Sequence, residues 1–535
     1  MLKMNKIFLM LFFVGLLLVG TVSAANWYVS TTSSGTASGD SWANKRTLKD
    51  FTESWYGTRV KPGDIVYIDG GSTNLTYKYG QHNNSQWATF FWNKAGTAYN
   101  RITITRGRDS GHNGIPIIEG AFGSGKNAFY GYASYFTLAN LTFTNKDNYN
   151  SRAGRYLILL GAHPIGVHIL SNTLRYTYGT AIRVDSSENV KIMYNSITTG
   201  VTDEKYTEDA FFFDSGGNGT EIAYNYVLNE NNFDNRPPFN ATTNPEGAHA
   251  DLFQFTGTYQ STGGATKIHH NFLGNIQDTD GYGKQVLYLN QVAGVFEIYN
   301  NIIVTASRNT NMYGSDDITL TDIVNDNPTK LIGKIYNNNI VSDAFYPGSR
   351  FYRVDEFTFK NNLVYYPNII SGGNGAVFTF NYGSQNASLD IDYNRYHKTN
   401  LVRFVEMTPN IISWDTWRSK YGVDAHSSIG PVNFRNLWGT QPSDYMLVDG
   451  SEGIDDGTPV IGIVDDFVGT SRPQGSAWDI GAFEYVVGSV YHPADLNTDG
   501  CVSLGEISTY VGRWLNGQIT LGTVSSGVSE WLGGC

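Results

Sequence analysis

Cysteine is almost missing from this chain of 535 residues: the only two, Cys501 and Cys535, stand at its far end. The long body before them must fold without disulfides, and a single bridge in the tail is the most the sequence allows. Charge is sparse as well. Charged residues make up 16% of the chain, the net charge is −11, and no basic run occurs, which excludes generic nucleic-acid binding. After the first two dozen residues no segment is apolar enough to cross a bilayer, so no transmembrane span is expected in the mature chain. The Leu-x-x-Leu-x-Leu signature of a leucine-rich horseshoe and the four-strand repeat of a propeller are both lacking.

What is present begins with an export signal. A basic start through Lys6, an apolar run from Ile7 to Val19 and the small residues Val22-Ser23-Ala24 describe a secretory peptide over residues 1–24, too short to span a membrane. The mature chain is then expected to start at Ala25 and to be extracellular, either free or attached to the cell surface. Its composition, with 59 Gly, 35 Tyr and 14% aromatics, is that of a β-rich, turn-rich protein with few helices.

The organising stretch is Val190-Lys-Ile-Met-Tyr-Asn-Ser-Ile197: two apolar residues separated by one, then Asn three positions after the second. The same grammar places Asn at 172, 195, 225, 271, 301, 338, 362 and 394. Alternation with period two is a strand signal, and a polar residue tolerant of left-handed backbone beside it marks a bend. One short strand and a bend cannot bury their own apolar face, so such units stack. Stacked rungs lie about 4.8 Å apart, which lets equivalent Asn amides bond to one another. The implied fold is all-β, a parallel β-solenoid with three-sided coils and loops that absorb the varying repeat length.

Residues 25–130 read as an N-terminal cap and first coils, 131–400 as the repeats, 401–485 as closing coils and a C-terminal cap, and 486–493 as a linker. Short helices are expected within Trp42 to Phe51 and over Trp414 to Tyr421. Tyr135-Phe-Thr-Leu-Ala-Asn140 is a variant repeat one residue short.

The tail, 494–535, carries a different text. Asp495, Asn497, Asp499, Cys501, Ser503 and Glu506, with Gly500 at the sharp turn, match the calcium-loop pattern D-x-[DN]-x-[DN]-G-x5-E at every defined position. Side chains at positions 1, 3 and 5, the Cys501 carbonyl, Ser503 and a bidentate Glu506 are the clustered oxygens that a hard cation needs. A degenerate copy follows from Ile519 to Gly534, with Thr523 in place of Glu506 and no acidic triplet before it, so only the first unit should bind calcium.

The opening Trp27-Tyr-Val-Ser with Ser41-Trp42-Ala43, the Gly63-Asp64 and Tyr67-Ile68 strand, the Asn-bearing coils and the close Asp479-Ile-Gly-Ala-Phe-Glu-Tyr485 resemble secreted proteins of the pectin-lyase-like superfamily over roughly residues 26 to 485. The resemblance implies a right-handed, single-stranded parallel β-helix of roughly ten coils. It leaves activity open, since that superfamily holds lyases, glycosidases, epimerases and members without known chemistry. The tail resembles a dockerin-type module, which implies docking on a cohesin-like or cell-envelope partner. The chain itself is expected to be a monomer.

Ionisable residues concentrate in the turns from Arg183 to Asn290, beside the longest interval between rungs. Arg183 and Asp185 share one strand face, Asp214 follows at nearly the same offset, and His249 shares a face with Asp251. In a lyase reading, a base takes the proton next to a sugar carboxylate while calcium neutralises the developing charge. Asp209, Asp214 and Asp251 would be ligands, Lys284 or Arg183 the base or charge stabiliser, with His249 and Asp251 as further catalytic candidates, and Asp185 and His270 would line the substrate and metal cleft with Asp209 and Asp214. Each has a plainer alternative: Asp185 and Asp214 as turn residues before Ser, His249-x-Asp251 as a loop anchor, His270 as a packed ring, and Lys284 as partner to Asp278 and Asp280. Two further readings remain. Paired carboxylates would hydrolyse a neutral glycan, although the paired-Asp and Gly-His-Gly signatures of the polygalacturonase branch are absent. An aromatic, Asn-rich face would bind glycan, or an envelope partner, without turnover.

Overall fold

The computed structural model of the chain describes residues 24–51, 59–121, 125–145, 156–177, 180–199, 209–229, 251–257, 264–278, 286–307, 318–322, 330–343, 348–367, 377–381, 388–397, 403–407, 410–486, 495 and 502. Most of the expected signal peptide, residues 487–493 of the linker, and the tail module apart from Asp495 and Val502 fall outside them.

Each coil contributes one strand to each of three sheets. His168–Leu170 lies in the first sheet, Thr173–Thr177 in the second and Thr180–Ser187 in the third, and Lys191–Met193 returns to the first. Among the described residues the sheets hold 13, 12 and 12 strands, somewhat more rungs than the sequence suggests. Within the three sheets the strand pairings of the described residues are parallel, except that Arg403–Met407 and Asn410–Ser413 end the third sheet as an antiparallel pair; a few isolated antiparallel bridges lie outside the sheets. The fold is a right-handed parallel β-helix. Its interior is packed with the apolar residues of the repeat grammar: Ile169, Ile192, Ile222 and Ile268 stack in one register and are fully buried.

At the bend between the first and second sheets the eight asparagines form one continuous ladder. Asn271 is representative. Its Oδ1 accepts from the backbone N and the Nδ2 of Asn225 at 3.0 Å, while its Nδ2 donates to Ile222 O at 2.8 Å and to Asn301 Oδ1 at 3.0 Å. The pattern runs from Asn172 through Asn195, Asn225, Asn271, Asn301, Asn338 and Asn362 to Asn394. A buried amide has two donors and two acceptor lone pairs, and a parallel stack satisfies them with its neighbours above and below.

One expectation needs refinement. The left-handed residue of each bend is not the ladder Asn but the one before it: Ser171, Tyr194, Tyr224, His270, Asn300, Asn337, Asn361 and Tyr393 have φ between 50° and 60°. This explains the short repeat. Asn140 itself takes the bend at φ 57°, and Leu141 occupies the rung, its backbone N donating to Asn172 Oδ1 at 3.1 Å.

The ends differ from a simple pair of caps. Asn26–Ser30 and Ile65–Ile68 are true rungs of the first sheet, with the two-residue strand Arg46–Thr47 as its outer edge, a short edge that gives another chain little to pair with. The helix expected within Trp42 to Phe51 is a single 3-10 turn, Trp42–Asn44. At the other end the helix Trp414–Tyr421 forms as the sequence suggests, with Ser413 Oγ accepting from Thr416 N and Gly422 closing it at φ 65°. It lowers Trp417 onto Phe378 and Phe380 and sets Trp414 edge-on to Tyr396, and Asp424 caps the ladder by accepting from Asn394 Nδ2, Tyr396 Oη and Trp417 Nε1.

Only this first part of 401–485 closes the coil. The chain then runs back along the outside of the second sheet. Tyr445, Met446 and Phe483 cover Leu228, Phe272, Ile302, Val304 and Val341, which face outward from the coil and would otherwise meet water. Polar bonds fix the strap at several coils: Tyr226 Oη to Thr440 O, Asn339 Nδ2 to Tyr445 O, and Asn361 Nδ2 to Thr458 O. Arg472 and Glu484 pair at 2.6 Å with no exposure, and Arg472 also donates to the carbonyls of Asp479 and Gly481.

Truncating a middle rung removes four hydrogen bonds and strands the amides on either side. Asn271→Ala should therefore cost about 2–4 kcal/mol in chemical denaturation. A loss below 1 kcal/mol would show that the ladder is not a stabilising element.

Candidate functional site

The strand Thr180–Ser187 alternates strictly. Ile182 and Val184 point into the core, so Arg183 and Asp185 point out from the third sheet. The next strand, Phe211–Gly216, pairs so that Arg183 faces Phe212 and Asp185 faces Asp214. The period-two face and the matched offset of Asp185 and Asp214, both legible in the sequence, are thus real neighbours in space.

Arg183 is the centre of the site. Its Nε donates to Asp185 Oδ1 at 2.7 Å, its Nη2 to Asp214 Oδ2 at 2.8 Å and its Nη1 to Tyr156 Oη at 2.8 Å. The guanidinium also lies between the Tyr156 and Phe212 rings, 5.1 and 4.9 Å from their centres. Partial burial works against its charge, but the Asp185 bond and the Asp185, Tyr156 and Asp214 charges outweigh that and raise its pKa above the ordinary arginine value. Arg183 is therefore held in its protonated form. The second oxygen of each carboxylate, Asp185 Oδ2 and Asp214 Oδ1, has no hydrogen-bond partner among the described residues.

The other residues singled out in the sequence are placed differently. Asp209 and Asp251 are buried where their strands begin, with Asp251 N donating to Asp209 Oδ1 at 2.9 Å, and they do not join Asp214 as a ligand set. Among the described residues no group of three or more His, Cys, Asp or Glu side chains is arranged to hold a metal ion. Lys284 and His249 fall outside the described residues, in segments 279–285 and 230–250 that lead into this sheet. In the tail Asp495 is buried, and Asn497, Asp499, Cys501, Ser503 and Glu506 fall outside the described residues.

His270 belongs elsewhere. It sits in a left-handed bend between the first and second sheets, 3% exposed, and its Nε2 donates to Asp466 O of the strap at 2.9 Å. Its Nδ1 lies 2.7 Å from His269 Nδ1, and His269 Nε2 lies 3.3 Å from Glu221 Oε1. Its role is to join strap to coil, the packed-ring alternative.

Tyr156 and Phe212 were not singled out from the sequence. Phe212 had a signal, since it stands two residues before Asp214 as Arg183 does before Asp185. Tyr156 had none, because it pairs with Thr180 and reaches Arg183 diagonally.

The sequence matches no protein-family model and no curated protein. Among solved structures the chain is similar to the crystal structure of pectate lyase Pel9A, at 16% identity over 87% of this chain and 97% of that one, with a TM-score of 0.48. It is also similar to XylC in complex with xylose, at 10% identity over 86% and 99% with a TM-score of 0.44, and to a lacto-N-biosidase from Eubacterium ramulus, at 11% over 76% and 68% with a TM-score of 0.35.

The first sheet's outward lane yields a pH prediction. Burial, then the Arg101 and Lys191 charges, push the pKa of His168 down to about 4, and the His269 bond followed by Lys191 draws Glu221 down to about 2. A histidine kept neutral in the fold gives its full contribution above the unfolded value near 6.5 and loses it as pH falls through about 4. Thermal melts should therefore fall between pH 6.5 and 4 in the wild type and be flatter over that window in His168→Gln. Parallel curves would refute this assignment.

Proposed function

We propose that this is a secreted carbohydrate-active protein that cleaves a uronic-acid-containing polysaccharide by β-elimination on the outward face of the third sheet. The observation that carries the reading is Arg183, a permanently charged, partly exposed guanidinium fixed between two aromatic rings and two carboxylates. In such a reaction a base removes the proton beside the sugar carboxylate, the bond to the leaving oxygen breaks, and a carbon–carbon double bond forms. Arg183 is suited to stabilise the negative charge that develops. Lys284 is the residue we assign as base, a role that Arg183, held protonated by its two carboxylates, fits less well.

Arg183 with two carboxylates leaves the cluster at a formal charge of −1, which repels a polyanion unless a cation intervenes. Asp185 Oδ2 and Asp214 Oδ1 are hard oxygen donors of the kind calcium takes, so these two residues, rather than Asp209 and Asp251, would hold it together with a substrate carboxylate. Calcium there would supply neutralisation of the sugar's charge.

One observation favours a second reading. Asp185 and Asp214 occupy adjacent rungs about 4.8 Å apart, near the roughly 5–5.5 Å separation of carboxylates in retaining glycosidases. Purified protein with calcium, screened against pectate, alginate and glycosaminoglycans, should produce ultraviolet absorbance from unsaturated sugar ends. New reducing ends without that absorbance would replace the lyase with the hydrolase, and binding without either would leave an adhesion protein.

For the tail we propose a calcium loop at Asp495, Asn497, Asp499, Cys501, Ser503 and Glu506 that docks a cohesin-like or cell-envelope partner; the buried carboxylate of Asp495 suits a first ligand. Calorimetric titration should find a site in the wild type that Glu506→Ala loses. Equal heats from both proteins would remove it.

A further inference from the structure

Two outward lanes run along the third sheet. One carries Phe91, Tyr130, Leu159, Arg183, Phe212, Gln254 and Tyr288 in register. The other continues the site's carboxylates: Asp185, Asp214, Thr256 and Asn290 pair in succession, with Gly161 and Tyr132 on the rungs before Asp185. Towards the N-terminal coils the lanes bring together three rings, Phe91, Tyr130 and Tyr132, while towards the C-terminal coils Phe212 and Tyr288 alternate with polar residues.

The aromatic end is built in a specific way. Tyr130 packs edge-on against Phe91 at 5.4 Å and against Tyr132 at 6.0 Å, and Tyr132 is 51% exposed. Gly161 supplies the space. A Cβ there would lie 2.8 Å from Tyr130 Cε2 and 2.9 Å from its Oη, so the ring leans across Gly161 into the lane that Asp185 occupies one rung later. Any larger residue at 161 would drive the ring out of that lane.

Aromatic faces offer broad apolar area with few rotamers to freeze, while a hydroxyl rim keeps hydrogen bonding available, which suits the apolar faces of pyranose rings. The rungs repeat every 4.8 Å or so, comparable to the length of one sugar residue. We infer that Tyr130 and Tyr132 form a sugar-stacking subsite adjoining Arg183, Asp185 and Asp214, and that the substrate is an unbranched polysaccharide lying parallel to the helix axis. The occupant follows from continuity: the platform and the polar lane are successive rungs of one face. The inference rests on the reading of this face as glycan-processing, and it adds direction and length to it. A chain engaged at Arg183 must extend one to two sugars towards the N-terminal coils before it meets the tyrosines, so short oligomers gain nothing from them.

The test uses the full-length protein with calcium and size-fractionated oligomers, dimer to octamer, of polygalacturonate, alginate, xylan and mannan. Binding is followed by calorimetry and turnover by ultraviolet absorbance and reducing ends. Tyr132→Ala and Tyr130→Ala should each weaken binding of the longer oligomers about fivefold to tenfold and leave the dimer unaffected. Gly161→Ala should reproduce the Tyr130→Ala loss, and Tyr194→Ala, an exposed tyrosine on another face, should change nothing. Thermal melts check that Gly161→Ala folds, and the exposed Tyr132 keeps the test valid if it does not. Equal weakening of dimer and octamer, no weakening by either tyrosine variant, or no binding of any series overturns the subsite. Length-dependent binding lost in the tyrosine variants, without any absorbance change, removes the lyase and keeps the subsite. Absorbance that the tyrosine variants leave untouched does the reverse.

Discussion

The structure depends on one buried hydrogen-bonded row, the asparagine ladder. A parallel coil has no local partner for the backbone groups at its corners, and a corner tight enough to join two flat sheets needs left-handed backbone at a residue with a side chain. The inner ladder amides meet the first demand by accepting from the backbone N of the previous rung while donating to a carbonyl of the previous coil and to the next amide, and the residue before each Asn meets the second. With the corner fixed, strand register follows, and with register fixed every outward side chain has a defined neighbour on the coils above and below. The pairing of Arg183 with Asp214, residues 31 apart, is a consequence of amides on another corner.

This is why the fold was legible. The spacing between successive asparagines varies from 23 to 46 residues, yet the grammar survives because loops outside the sheets absorb the difference. The same frame located the outward carboxylates, since a shared offset from the rung means a shared lane. Legibility failed where contacts are diagonal or distant. Tyr156 reaches Arg183 across the register, and no repeat pattern encodes a diagonal. His270 is held by Asp466, 196 residues further on, through a strap with little regular structure and no repeat of its own. A hint of the strap is present in Ile302-Ile303-Val304, apolar at successive positions and so wanting burial on both faces.

The site is economical in its means. One guanidinium satisfies two carboxylates and a phenol, and the aromatic rings above and below it exclude water from its faces. That arrangement fixes the orientation of both carboxylates while leaving one oxygen of each open. The face thus carries its charge at the centre, a group of three rings towards the N-terminal coils, and Gln254, Thr256 and Asn290 beside Phe212 and Tyr288 towards the C-terminal ones.

The strap changes how such a molecule comes apart. A coil that touches only its two neighbours can fray from an end, one turn at a time, with each lost turn costing little more than the last. Here a single returning segment is bonded at Tyr226, His270, Asn300, Asn339 and Asn361, so that several turns share one fastening. Peeling the terminal turn leaves the inner ones still bound across their backs. Unwinding becomes closer to an all-or-none event, and the chain offers proteases fewer partly open forms to cut.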